Sequence, residues 1–238
     1  MTSYYLSPTT FICLADNQLV FLDLHEDKYL GIDRKNTKKL QSLFQKKALS
    51  KQCLNEKEDF YNDCELVAST LVDQGLLTLD KASGKTLAMT SIALPDSEIC
   101  GYNTMADQKV SVRQLFAVFR ATLTAKLKLR FFSLETIAQQ VSKRKQQTSA
   151  DTSLTSLQVG ELVSGFKRFR PLFFTANNHC LFDALALIEY LAAYNIYPDW
   201  VFGVRMGPFR AHCWIQNDKA IFNDSVANVA SYTPILKL

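Results

Sequence analysis

The chain has 238 residues and a mass of 26.9 kDa, enough for one large domain or two small ones with a hydrophobic core. Hydrophobic residues make up 47% and charged residues 21%, which excludes wholesale disorder and fibrous architectures. The net charge of +4 is uneven, because residues 1–100 carry 11 basic and 14 acidic side chains, whereas residues 101–238 carry 16 and 9. No apolar run reaches the ~18 residues of a membrane span, and the first ten residues lack the pattern of a secretory signal. We therefore expect a cytoplasmic protein.

The first part of the chain is predicted to be a small sheet followed by helices. Short apolar or β-branched runs alternate with turn-forming Asp, Asn and Glu residues, which is typical of antiparallel strands. Apolar residues then recur at helical spacing, and Gly75 stands where a helix commonly ends. The predicted elements are strands at Phe11–Leu14, Leu19–Leu24 and Tyr29–Ile32, a helix with Leu40, Leu43 and Phe44, a helix with Phe60, Cys64, Val67 and Leu71, and a short strand at Leu76–Leu79. We predict an amino-terminal domain over residues 1–82.

Residues 83–108 contain Gly, Pro and scattered polar residues without a strong period, and we interpret them as a linker. A second domain is predicted over residues 109–238, which makes the fold class α+β. The Ala- and Leu-rich run that follows Cys180 is long enough to be a buried helix. The predicted elements are helices at 109–129, 132–145, 157–166 and 181–194, a strand at Asp199–Met206, and a hairpin of His212–Gln216 and Ala220–Asp224.

Cys180 is the candidate nucleophile. It stands at the predicted start of a helix, where the partial positive charge of the helix favours a thiolate. None of the six cysteines forms a CxxC pair, so we expect most of them to be reduced thiols. A cysteine nucleophile needs a base and a residue that orients the base. His212, on the predicted hairpin, is the candidate base.

The register of the hairpin decides whether Asp224 can orient His212. A three-residue loop, Asn217–Lys219, pairs His212 with Asp224, and directly opposed side chains share a face. A two-residue loop would place Asn223 opposite His212 and turn Asp224 to the other face. In either register Cys213 points away from the His212 face. The residues alone leave the loop length, and with it the catalytic trio, open.

Three other signals carry less weight. Ser83–Thr86 (SGKT) looks like the end of a phosphate-binding loop, but the glycine required five positions earlier is missing. His212 and Cys213 are strand neighbours that point to opposite faces, so they cannot easily bind one zinc ion together. The acidic amino-terminal domain argues against a DNA-reading winged helix. We predict no metal and no visible cofactor, and a nucleotide requirement stays open.

The stretches CLFDALALIEYL and VFGVRMGPFRAHCWIQNDKAIFND resemble the B proteins of lasso-peptide biosynthesis, transglutaminase-like cysteine peptidases that remove the leader from a ribosomal precursor. The matching pieces are C-L-x-x-A-L-x-L, G-V-R-x-x-P-F-x-A-H-x-W and N-D, and they cover residues 168–225. The resemblance implies a papain-like fold with Cys180 as nucleophile, His212 as general base and Asp224 as the residue that orients it. The chain departs from that family at Cys213, where Ala is common, and at His179, where several members have a basic residue.

The stretch VFLDLHEDKYLGIDRKNTKKL resembles the PqqD-like recognition element of peptide-modifying enzymes, which has a winged-helix-type fold. This resemblance implies that an extended leader peptide adds a strand to an exposed sheet edge, while helix residues supply side-chain pockets. The residues implied to bind the leader are Tyr29, Leu30, Gly31, Ile32, Cys64, Val67 and Leu71.

The function implied by these resemblances is leader removal from a lasso-peptide precursor, which frees the amino terminus of the core peptide for macrocyclisation. The implied partners are the precursor peptide and an ATP-dependent lasso cyclase, with neither nucleic acid nor a membrane span involved. The Cys180 backbone N–H would hold the oxyanion, and Asn177 or Asn178 is the candidate second donor. Two alternatives stay open: a non-catalytic peptide-binding scaffold, and an acyltransferase that uses an amine acceptor.

Overall fold

A computed structural model of the chain describes residues 3–44, 55–89, 91–99, 111–147, 155–174 and 179–238. The chain divides into two compact units, Met1–Thr90 and Ser91–Leu238. This division differs from the predicted linker over residues 83–108. The Lys85 N–H donates to Leu6 of the first unit, and Ser97–Glu98 forms a strand of the second unit. The difference arises because backbone groups in a polar, aperiodic stretch still find partners when a sheet edge lies nearby.

The described residues of the first unit form two antiparallel sheets and two helices. Its elements are β1 (Tyr5–Leu6), β2 (Thr10–Ala15), β3 (Gln18–Asp23), β4 (Lys28–Gly31), α1 (Arg34–Phe44), α2 (Asn55–Asp73) and β5 (Leu77–Thr78). The larger sheet has the order β2-β3-β4, and β1 pairs with β5. Positive φ angles of 48° and 62° at Asp16 and Asn17 form the two-residue turn between β2 and β3, a conformation that Asp and Asn tolerate.

The core of the first unit lies between the larger sheet and the two helices. β3 is its centre, with Leu19 and Phe21 at most 1% exposed, and Leu40 of α1 and Ala68 of α2 pack against them at 0% exposure. α2 ends at Asp73, and Gly75, two residues later, has a φ of +76°, the left-handed conformation expected of a glycine that terminates a helix. In the described residues β4 pairs with β3 alone, so its outer edge is unpaired by any strand.

The second unit contains one mixed sheet and five helices in the described residues. Its elements are β6 (Ser97–Glu98), α3 (Val112–Phe131), α4 (Leu134–Gln147), α5 (Ser156–Phe169), a 3-10 turn (Arg170–Leu172), α6 (Cys180–Ala192), β7 (Asp199–Arg205), β8 (Arg210–Asn217), β9 (Ala220–Ile221), α7 (Val226–Val229) and β10 (Thr233–Lys237). The sheet has the order β10-β7-β8-β9-β6, in which only β6 and β9 are parallel. The predicted α+β class is confirmed.

Helix α6 is the central helix of the second unit and packs against α3, α5 and β8. Residues 183–188 are all buried, which explains why Ala and Leu occupy every face of the helix. Its one acidic residue in the later turns, Glu189, accepts hydrogen bonds from Lys128 at 3.0 Å and from Arg144 at 2.6 and 3.0 Å. None of the described helices is long and apolar enough to cross a membrane.

Candidate active site

Cys180 is the first residue of α6, as predicted. The first helical hydrogen bond runs from the Asp183 N–H to the His179 carbonyl at 2.9 Å, so the N–H groups of Cys180 and Leu181 have no acceptor within the helix. The Cys180 side chain is half-buried and reduced. A helix amino terminus with a thiol and free N–H donors can both stabilise a thiolate and bind a carbonyl oxygen.

His212 lies on β8, directly opposite Gly203 of β7. Its ring stacks on Trp214, with centroids 6.0 Å apart, and contacts Tyr232 at 5.1 Å. A Cβ atom on Gly203 would come within 2.8 Å of the Trp214 ring, so glycine is required for the indole to lie where it does. The aromatic neighbours leave the His212 side chain 17% exposed and restrict the plane of the imidazole.

The hairpin after His212 has a two-residue loop. The predicted alternative of a three-residue loop, which would pair His212 with Asp224, is wrong. Asn217 pairs with Ala220 and Gln216 with Ile221. Continued regularly, this register would bring Ser225 opposite His212, not Asn223. The ladder instead ends at Ile221, because the Asn223 side-chain oxygen accepts the Ile215 N–H at 2.8 Å in place of a strand carbonyl.

Asp224 therefore reaches His212 through a bend at the end of β9 and not through strand pairing. Its Oδ2 hydrogen-bonds with His212 Nε2, and its Oδ1 accepts the Ser225 N–H at 2.7 Å. Asn228 Nδ2 donates to both carboxylate oxygens at 2.9 and 3.1 Å. With Nε2 engaged by the carboxylate, Nδ1 is the ring nitrogen that is left for the thiol.

The charges of this site favour a thiolate and an imidazolium at neutral pH. A hydrogen bond from the Cys213 thiol is the largest cause that lowers the pKa of Cys180, and with those from His212 and the Cys213 N–H it outweighs burial and lowers that pKa to about 4. Burial opposes the charged form of His212, but Asp224 and Cys180 outweigh it and raise the pKa of His212 to about 9. Between these two values the cysteine is ionised while the histidine is protonated.

Cys213 is the site residue that the pattern of alternating strand faces missed. It is 2% exposed, and burial and the nearby Cys180 raise its pKa well above the ordinary value, so its thiol stays protonated and can donate. Because β9 ends at Ile221, the Cys213 N–H has no strand partner on that side and donates to Cys180. The sequence signals for it are its position beside His212 and the presence of cysteine where the resembled peptidases commonly have alanine.

The residues implied to bind a leader peptide divide into two groups. Tyr29, Leu30 and Gly31 lie on the edge strand β4, Ile32 follows it, and all four are partly or fully exposed. Cys64 and Leu71 are each 2% exposed in the core of the first unit, and only Val67 of the helix set is partly accessible. The helical period that drew attention to Cys64 and Leu71 is the period of the buried face, so these two offer no surface to a peptide.

Two further predictions concern the second oxyanion donor and the presence of a metal ion. Asn177 and Asn178, the candidate second oxyanion donors, lie outside the described residues. Within the described residues, no three His, Cys, Asp or Glu side chains are grouped so that they could hold a metal ion.

A family model for the transglutaminase-like superfamily matches residues 119–237, which is half of the chain and includes Cys180, His212, Cys213 and Asp224. No curated protein and no solved structure matches the chain.

Proposed function

The chain belongs to the transglutaminase-like superfamily, whose fold is that of cysteine peptidases and acyltransferases, and on this premise we propose that its second unit cleaves a peptide bond with Cys180 as the nucleophile. The observation that carries the proposal is the contact of Cys180 with His212, itself hydrogen-bonded to Asp224, within the segment that matches the family. A thiolate beside an imidazolium is the form in which a cysteine peptidase attacks.

The proposed reaction begins when the Cys180 thiolate attacks the scissile carbonyl and forms a tetrahedral oxyanion. The Cys180 N–H, which has no helical acceptor, donates to that oxyanion. His212 then gives its proton to the departing amine, and an acyl thioester remains on Cys180. Water activated by the neutral His212 hydrolyses the thioester, while Asp224 keeps the imidazole oriented in both steps.

The substrate that we propose is the precursor of a lasso peptide, with cleavage between the leader and the core. This substrate class rests on the resemblance of residues 168–225 to the B proteins of lasso-peptide biosynthesis. The product would be a core peptide with a free amino terminus, which an ATP-dependent cyclase would join to an acidic side chain. No cofactor takes part in the cleavage that these residues would perform.

The first unit is proposed to bind the leader as a PqqD-like module. The unpaired edge of β4 supports this role, because an extended peptide can add a strand there. The Ile32 N–H donates to Leu19 at 2.7 Å, so the alternation of strand hydrogen bonds turns the N–H groups of Tyr29 and Gly31 outward. Binding by the first unit would raise the effective concentration of the scissile bond at the second.

The reaction is tested by incubating the protein with a lasso precursor and following product masses. We expect separate leader and core peptides from the wild type, and bound but intact precursor from Cys180→Ala. Cleavage by Cys180→Ala at the wild-type rate would refute the mechanism. Intact precursor with both proteins would favour a non-catalytic scaffold. When hydroxylamine is added, an acyl thioester on Cys180 should yield a leader whose new carboxyl end carries the added amine. Transfer of the leader to a cellular amine in preference to water would favour an acyltransferase.

Leader capture is tested separately with Gly31→Pro. Proline removes the outward N–H of Gly31 without breaking a bond to β3, so we expect weaker binding of a labelled leader peptide and no change in the reactivity of Cys180. Asp16→Asn, which lies in the β2–β3 turn and leaves the outer edge of β4 unchanged, is the matched control. Equal leader affinity in Gly31→Pro and wild type would contradict strand addition at β4.

A further inference from the structure

A buried carboxylate lies one turn after Cys180 on the same helix. Asp183 is 3% exposed, and no other charged residue occurs in the first two turns of α6. Its Oδ1 accepts a hydrogen bond from Arg170 Nη1 at 2.6 Å, and its Oδ2 accepts one from Asn223 Nδ2 at 3.0 Å. Each carboxylate oxygen thus binds a different segment of the chain.

The segment bound by Oδ2 is the one that carries Asp224. Asn223 uses its Nδ2 for Asp183 and its Oδ1 for the Ile215 N–H at 2.8 Å, so one amide joins α6 to β8. This same amide ends the β9 ladder and begins the bend that brings Asp224 to His212. The conformation of the bend is therefore determined by a side chain of the helix that begins with Cys180.

Stability alone does not explain a charge at this position. A buried ion pair is often no more stabilising than well-packed apolar residues of the same size, because both charges must leave water. All of the next five residues, Ala184 to Ile188, are apolar and buried, so an apolar side chain at position 183 would also suit the core. An ion pair with directional hydrogen bonds differs from apolar packing in that it fixes the relative orientation of the groups it joins.

We propose that Asp183 is a positioning residue, whose carboxylate holds the Asn223–Asp224 bend against the Cys180 helix and so sets the separation of Cys180 and His212. Arg170 orients the carboxylate by binding its other oxygen, from the 3-10 turn that follows α5. Neither Asp183 nor Arg170 is proposed to touch the substrate. The inference rests on the proposed function, since it concerns how the Cys180–His212 pair is assembled.

The test is the pH profile for alkylation of Cys180 by iodoacetamide, read by peptide mass spectrometry, together with the rate of precursor cleavage. Asp183→Asn keeps the size of the side chain but removes the charge and turns a donor toward Arg170 or Asn223. We expect the inflection of the profile to move upward, and cleavage to slow by about 100-fold, the order expected for a displacement of about 1 Å at a reacting group.

Glu189→Gln is the matched control, because Glu189 is also a buried, doubly paired carboxylate on α6. It lies more than two turns from Cys180, so the variant should lose thermal stability without a change in the Cys180 profile. Asn223→Ala serves as a second variant that leaves the Arg170–Asp183 pair intact, and it should reproduce the shifted profile. The fluorescence of Trp200 and Trp214, which are both fully buried in the second unit, reports that this unit is folded in each variant.

The possible outcomes separate the two proposals. Shifted profiles in Asp183→Asn and Asn223→Ala, with an unshifted one in Glu189→Gln, support the positioning role. Unshifted profiles in both site variants overturn it, while a low inflection in the wild type leaves the proposed function standing. An ordinary inflection near 8.5 in the wild type itself would overturn both. If Asp183→Asn does not fold, Asn223→Ala decides.

Discussion

Replacing His212 by alanine should change the shape of the pH profile for Cys180 alkylation more than the rate at any single pH. With a pKa of about 4, Cys180 is almost fully ionised at pH 6, whereas an ordinary thiol is ionised to about 0.3% there. The gain of about 300-fold in thiolate is largely cancelled, because a thiolate about 4.5 pKa units less basic is roughly 100-fold less nucleophilic. At pH 6 alone, the alkylation rate of Cys180 would therefore exceed that of an ordinary thiol by only about threefold.

The size of the shift follows from the charge that is removed. An imidazolium about 4 Å from the thiolate contributes ~4 kcal/mol at an effective dielectric constant of ~20, which corresponds to about 3 pKa units. We expect the inflection of the His212→Ala profile near pH 7. The wild-type rate should stay flat between about pH 5 and 8, since the pKa values of Cys180 and His212 bracket that range.

The assay is iodoacetamide alkylation at intervals of half a pH unit, with the fraction of modified Cys180 read from its peptide. Cys13 is the internal control for an unreactive thiol, because burial raises its pKa to about 12 while the first unit is folded. A flat wild-type profile beside a variant that rises about tenfold per pH unit below its inflection is the expected result. Superimposable profiles with one inflection near 8.5 would refute the reasoning.

Three more predictions concern single contacts. Cys213→Ala removes the hydrogen bond that is the largest single cause lowering the pKa of Cys180. The alkylation inflection should therefore rise by about two pKa units, the size of a strong hydrogen bond to a charged group; an unchanged inflection would contradict the donor role. Burial opposes the charge of Glu189, but its two cationic partners outweigh burial and lower its pKa, so the ion pair stabilises the fold above the unfolded pKa of about 4.3. That stabilisation is lost as the pH falls through the lower pKa that Glu189 has in the folded protein. Between about pH 5 and 3, Tm should therefore fall more steeply in the wild type than in Glu189→Gln. Parallel Tm curves for the two proteins would argue against a stabilising ion pair. Gly203→Ala puts a Cβ 2.8 Å from the Trp214 indole and should lower the free energy of unfolding in urea by about 1–3 kcal/mol. In the control Gly165→Ala the new Cβ lies 3.4 Å from the flexible side chain of Gln114, so this variant should be neutral or stabilised. Equal unfolding midpoints for the two variants would show that the indole moves freely.

The elements of the site could be predicted because they depend on local pattern. The run after Cys180 is rich in Ala and Leu for more than three turns and contains only two charged residues, Asp183 and Glu189. A run of that length and composition is typical of a buried helix. The strands around His212 follow from short, largely apolar runs bounded by turn residues. Each of these properties is visible within a window of about a dozen residues.

The register that brings Asp224 to His212 could not be predicted, because it depends on a distant side chain. Loop length alone suggested a choice between two regular registers, and the chain adopts neither throughout. The Asn223 amide that replaces a strand carbonyl at Ile215 also donates to Asp183, 40 residues earlier in the chain. A sequence window around the hairpin does not contain that partner.

The same limit explains the residues that were misread. Cys64 and Leu71 have the spacing of a binding face and the spacing of a core face, which are identical until something packs on one of them. Cys213 points away from His212 along a regular strand, yet it donates to Cys180 because the thiolate lies where β9 has ended. Alternation describes an isolated strand and not the edge of a sheet.

The sequence by itself determined which segments are helix and strand, that Cys180 begins a buried helix, and that His212 and Asp224 lie on either side of one tight turn. Those features follow from periodicity and from backbone preferences, which act between residues a few positions apart. Only the tertiary structure decided the hairpin register, the hydrogen bonds of Cys213 and the tie between Asp183 and Asn223. Such contacts join groups far apart in the chain, and their geometry is set when burial forces each polar group to find a partner.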